Sequence, residues 1–223
     1  MIVPGSEFLS KALHLISQSL LIPDIIGLLI CITFAVIELG SLVSEYSQRT
    51  KVSGEKISEI IKKLHETSEI REVISANTLS QNQRNILEKI VSHGHLTNNS
   101  LNTLARKLIE EEELKAAQTL EKTDMLARWG PALGLMGTLI PLGPGLAALG
   151  RGDVQTLAQA VIIAFDTTIV GLAAGCIGYT ISKIRKRWYE EHISTLEALV
   201  DPLLEVLEND KKAEDFTQIR RGY

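Results

Sequence analysis

The chain has 223 residues, 45% of them hydrophobic and 22% charged, with a formal net charge of −4 at pH 7. By length it would suit one or two soluble domains, but its apolar residues are gathered into three long runs, which excludes an ordinary soluble globule. The charge balance says little about partners, because a membrane protein distributes its charge by side; no nucleic-acid partner is expected.

In chain order, residues 1–19 carry Phe8, Leu9, Ala12, Leu13, Leu15 and Ile16 at helical spacing, which predicts a short amphipathic helix lying on the outer membrane surface. Residues 20–43 form the first apolar run, broken only by Pro23, Asp24 and Glu38. About 20 residues at helical rise cross a hydrocarbon core of about 30 Å, so this run predicts a transmembrane helix. A cleaved signal peptide is the competing reading, and Lys11 as the sole upstream basic residue argues against it.

Residues 44–128 are expected to be cytoplasmic and helical. Ile57, Ile60, Ile61 and Leu64 repeat at amphipathic spacing, with Glu59 and Lys63 on the charged flank. A second helix is predicted over 81–91 on Ile86, Leu87 and Ile90, followed by a loop over 92–100 that holds Gly94, Asn98 and Asn99. His93 and His95 in that loop form an H-x-H without a further metal ligand close in sequence, so a surface loop is favoured over a metal site. A third helix begins near Asn102 and runs towards the second span without a strong breaker before Pro131, projecting from the membrane. The acids 110–113 read as a solvated helix face, with attraction of a basic partner as the alternative.

Residues 129–149 and 157–182 predict a hairpin of two further transmembrane helices joined by an outer link, 150–156. Residues 183–223 predict a cytoplasmic helix kinked at Pro202 and a mobile tail from Lys211, with Trp188 and Tyr189 at the membrane interface. The fold class expected is therefore an all-α integral membrane protein, with three transmembrane helices and long helices extending into a helical cytoplasmic domain. Arg49, Lys51, Arg128, Lys183, Arg185, Lys186 and Arg187 flank the cytoplasmic ends, leaving Lys11 and Arg151 outside; the N-terminus is expected outside and the C-terminus in the cytoplasm. Both cysteines, Cys31 and Cys176, fall within expected spans, which disfavours a disulfide framework.

The hairpin carries the chemistry. Thr138 on one arm and Asp166, Thr167 and Thr168 on the other are polar groups at bilayer depth, where such groups mark ion paths. Each threonine alone can bond the carbonyl one turn back and be structural. At 100° per residue, Asp166 and Thr168 lie about 160° apart around their helix, so Thr168 is expected on a conducting face and Asp166 towards an adjacent helix or subunit. A structural hydrogen bond from neutral Asp166 is the alternative. Gly171 and Gly175 form a G-x-x-x-G, and Ala174 with Gly178 repeats the small-residue spacing, so a second helix backbone can approach closely. Gly134 and Gly137 on the first arm, beside Pro141 and Pro144, are the expected counterparts.

Gly134-Leu135-Met136-Gly137-Thr138-Leu139 resembles the G-L-x-G-T-V segment of the MotA/TolQ/ExbB proton-channel family, and 164–172, ending Thr168-Ile169-Val170-Gly171-Leu172, resembles its A-L-x-x-T-A-x-G-L segment. The resemblance implies a homopentamer in a prokaryotic cytoplasmic (inner) membrane around a dimer of TolR/ExbD/MotB-like single-span subunits. A partner aspartate would then carry protons, or sodium, past Thr138 and Thr168, converting ion-motive force into mechanical work. Asp166 departs from the family pattern, in which the intramembrane acid falls where Ile163 stands here, and Pro141 and Pro144 replace a W-G-I/M-like continuation. The loop favours the transport or envelope-type branch, or another prokaryotic branch, over flagellar rotation. The alternative is a non-conducting scaffold that recruits partners through its cytoplasmic helices. A solute carrier would need an internal repeat that is not visible. Without a nucleophile–base pair, metal cluster or phosphate-cradling loop, no enzymatic activity, cofactor or metal is expected.

Overall fold

A computed structural model describes residues 6–48, 54–66, 70–76 and 79–221. Its helices are α1 (Ser6–Ser19), α2 (Leu21–Gln48), α3 (Gly54–Glu66), α4 (Ile70–Ala76), α5 (Gln81–Ser92), α6 (Asn98–Leu149) and α7 (Val154–Arg221). Stretches of α2, α6 and α7 are long and apolar enough to cross a membrane. The protein is an all-α membrane protein.

The chain forms two compact units. One takes the chain as far as Tyr46 together with Thr119–Arg185; the other takes Ser47–Gln118 and Lys186–Tyr223. In the first, α2 packs on the antiparallel pair of α6 and α7 through small side chains. Ala35 and Ala174 are fully buried and meet Leu126, with Cys31, Ile32, Phe34 and Ile177 around them. Leu29, Ile30, Val36 and Ile37 of α2, Leu135 and Leu139 of α6, and Phe165, Ile169 and Leu172 of α7 are exposed. A single chain leaves these faces for lipid or a neighbour, because exposed apolar area on this scale is unstable in water. On α1, Phe8, Leu9, Leu13, Leu15 and Ile16 are exposed as well.

The second unit is a conventional helical core. Ile60 and Leu64 of α3, Val73 and Ile74 of α4, Ile86, Leu87 and Ile90 of α5, Leu101, Ala105 and Leu108 of α6, and Leu196, Leu199, Val200 and Leu203 of α7 bury one another. The positions at spacings of 3 and 4 on each helix supply the buried face. Ser80 caps α5: its Oγ accepts the Gln83 amide at 3.2 Å, and Gln83 Oε1 accepts the Ser80 amide at 3.1 Å. The buried Gln83 also donates from Nε2 to the His192 carbonyl at 3.3 Å, tying α5 to α7.

Several boundaries differ from expectation. The loop over 92–100 is shorter, because α6 already starts at Asn98. The link between α6 and α7 is 150–153, shorter than expected, since Asp153 accepts the Thr156 amide at 3.0 Å and its hydroxyl at 2.5 Å and so starts α7. Those two bonds, the hydroxyl's first, hold the Asp153 carboxyl below the usual carboxylate range. Pro131, Pro141, Pro144 and Pro202 lie inside continuous helices. At these positions packing overrides the cost of a missing amide. The tail, expected to be loose, continues α7 to Arg221, and α4 was not anticipated at all. Arg49 and Lys51, the ends of the chain at 1–5 and 222–223, and their expected placements lie outside the described residues.

Leu203 has no exposed surface. Truncation in Leu203→Ala should cost about 2–5 kcal/mol of stability, read as a lower unfolding midpoint of the detergent-solubilised protein.

Candidate functional site

The close approach of α6 and α7 is written in missing side chains. A β-carbon at Gly171 would lie 2.5 Å from the Gly130 carbonyl oxygen and 2.7 Å from Gly134 Cα. One at Gly130 would lie 2.7 Å from the Gly171 oxygen and 2.8 Å from the Gly175 nitrogen. The two backbones therefore touch, a distance only glycine permits. Gly175 receives the ring of Pro131, whose Cγ and Cδ would both stand 2.6 Å from a side chain there. Gly178 likewise fits against the Ala127 amide nitrogen at 2.9 Å.

Around this seam the threonines take different positions. Thr138 is half-buried and donates to the Leu135 carbonyl at 2.6 Å; Thr168 is half-buried and donates to the Ala164 carbonyl at 2.8 Å. Each hydroxyl has committed its proton to its own helix, so the lone pairs are what it offers to a visiting ion or acid. Gly134 faces Thr168, its β-carbon position lying 3.4 Å from Thr168 Cα. Thr167 is buried and shares its proton between the Ile163 and Ala164 carbonyls at 2.9 and 3.0 Å. Asp166 is exposed within one chain, on the face that also exposes Ile162, Phe165 and Ile169.

Two polar features were not assigned from sequence. Arg185, 4% exposed at its side chain, donates to Glu38 Oε2 at 2.6 Å, to Glu45 Oε2 at 3.1 Å and to Ser41 Oγ at 3.0 Å. This cluster explains how α2 tolerates Glu38 within its apolar run: a buried charge persists when it is paired and hydrogen-bonded. Ser182 of α7 donates to Asp124 of α6 beside it. The second feature is Asp24, 2% exposed, which points at Gly137 of α6 and Thr167 of α7. Asp24 and Glu38 were visible as interruptions of the first run, and an intramembrane carboxylate is itself the signal to look for a partner.

The family model described as the MotA/TolQ/ExbB proton channel family matches residues 78–198, which takes in α5, α6 and most of α7. No match to a curated protein was found.

Gly171→Ala should disrupt the hairpin, because a methyl group cannot be relieved against backbone; the expected loss is about 1–3 kcal/mol or more, together with loss of a monodisperse peak in size-exclusion chromatography. Gly143→Ala meets nothing within 4 Å and should leave both readings close to those of the parent. Arg185→Leu strands Glu38 and Glu45 and should cost about 3–5 kcal/mol in the same unfolding assay, with partial recovery when Glu38→Gln is added.

Proposed function

The chain belongs to the MotA/TolQ/ExbB proton channel family, and on that premise we propose that it is the ion-conducting stator subunit of a rotary membrane motor. Five copies surround a dimer of single-span TolR/ExbD/MotB-like subunits in a prokaryotic inner membrane, with the N-terminus outside and the C-terminus in the cytoplasm. The partner's intramembrane acid loads and releases a proton, or exchanges sodium, beside Thr138 and Thr168, while Thr167 and Asp166 line or flank the path. Gly134, Gly137, Gly171, Gly175 and Gly178 hold the hairpin in shape. One elementary charge crossing 100 mV releases about 2.3 kcal/mol, roughly four times the thermal energy, which suffices to drive rotation of one component within the other.

The observation that carries this reading is the family match across both arms of the hairpin, where Thr138 and Thr168 present hydroxyl lone pairs beside a backbone-to-backbone contact. The uncovered apolar faces of α2, α6 and α7 support an assembly of several chains.

Thr168→Val removes the hydroxyl at nearly constant volume. Reconstituted with its single-span partner, the variant should keep the native mass of the assembly and lose ion flux under an imposed potential. Unchanged flux would favour the scaffold instead.

A further inference from the structure

Asp24 is the polar group that the ion path through Thr138 and Thr168 leaves unused. Its side chain is almost wholly buried, and neither Oδ1 nor Oδ2 has a hydrogen-bond partner among the described residues. Its backbone amide is spent within the helix, donating to the Leu20 carbonyl at 3.0 Å. An ionised carboxylate taken out of water without a partner is among the costliest arrangements a fold can hold, so its surroundings should reveal what compensates it.

Towards Gly137, the neighbour of Asp24 is the side chain of Thr167. Asp24 Oδ2 and Thr167 Oγ1 stand 2.8 and 2.7 Å from the position a β-carbon of residue 137 would take, with Thr167 Cβ at 2.6 Å, so both oxygens border the space that Gly137 leaves by having no side chain. Thr167 gives its proton to the Ile163 and Ala164 carbonyls and turns only lone pairs to Asp24. No hydrogen bond joins the two side chains, and Asp24 has no ion pair among the described residues. Two acceptors that border the same space with no donor shared between them repel unless something positive joins them.

We propose that Asp24, Thr167 and the opening over Gly137 form a binding site for one monovalent cation of sodium size, enclosed by α2, α6 and α7 of a single chain. Carboxylate and hydroxyl oxygens are the donors that hard cations select. One carboxylate balances one positive charge, whereas a divalent ion would leave an uncompensated charge in a low-dielectric interior. Three helices supply the enclosure: α2 the charge, α7 the second oxygen and α6 the space. The site's role in transport rests on the ion-conducting reading above, but its existence does not, because binding can be measured on this chain without the partner.

The experiment uses the purified full-length chain in detergent at mildly alkaline pH. Thermal unfolding is followed in sodium chloride, potassium chloride and choline chloride at equal ionic strength, alongside equilibrium binding of radiolabelled sodium. A ligand that binds only the folded state raises its stability by RT ln(1 + [L]/Kd). Sodium should raise the unfolding temperature over choline, with potassium weaker. Asp24→Asn should abolish saturable binding and the sodium-dependent rise while itself melting no lower in choline, since it removes an unpaired charge at constant shape. Thr167→Val should weaken sodium affinity by at least about tenfold, as loss of a ligand or its support does elsewhere. Identical melting in all three salts, or sodium stabilisation that survives Asp24→Asn, would overturn the site. Uptake of protons alone at Asp24, with no saturable sodium binding, would overturn it as well. A chain that binds sodium yet conducts normally as Thr168→Val would leave this site standing while removing the motor reading.

Discussion

Backbone contact between α6 and α7 is the constraint from which the membrane unit follows. Gly130 and Gly134 on one helix and Gly171 and Gly175 on the other bring main chain against main chain, so dispersion forces act over a long seam without intervening side chains. In a lipid environment there is no hydrophobic drive to hold helices together, and such fit is what remains. The seam also fixes the antiparallel register, and register decides which polar groups share a level. Thr168 beside Gly134, and Thr167 beside Gly137, are consequences of glycine placement before they are features of any ion path.

The third helix is attached by different physics. α2 meets the pair through alanines and through the Arg185 cluster, where one guanidinium serves two carboxylates and a serine hydroxyl. Such a cluster is costly to desolvate and adds little net stability over apolar packing, but it tolerates no substitution of one partner alone. It therefore acts as a selector of register for α2, and a helix set in register by Glu38 and Glu45 delivers Asp24 to Gly137 and Thr167 at its other end.

Composition made the spans legible, because crossing a bilayer demands a continuous apolar run and little else. Amphipathic spacing did the same for α3 and α5, whose Ile60, Leu64, Ile86, Leu87 and Ile90 are buried. The short α4 escaped because seven residues hold too few repeats to register as periodic. The prolines misled: Pro131 reads as a breaker in isolation, but its ring fits the notch at Gly175, a complementarity between residues 44 positions apart. The pairing of Arg185 with Glu38 spans 147 positions and the meeting of Asp24 with Thr167 depends on three helices, so neither is encoded locally. Gly130 was within reach, since it stands four residues before Gly134 and repeats on the first arm the spacing already noted on the second.

The proline in its glycine notch has a mechanical consequence. Rolling α6 about its own axis would drive the Pro131 ring into the α7 main chain, and sliding it lengthwise would bring Gly130 out of step with Gly171. Within this unit the two helices must answer a load as one stiff beam. α2 is held to that beam by side chains: the packing around Ala35 and Ala174 and the paired charges of Arg185, Glu38 and Glu45.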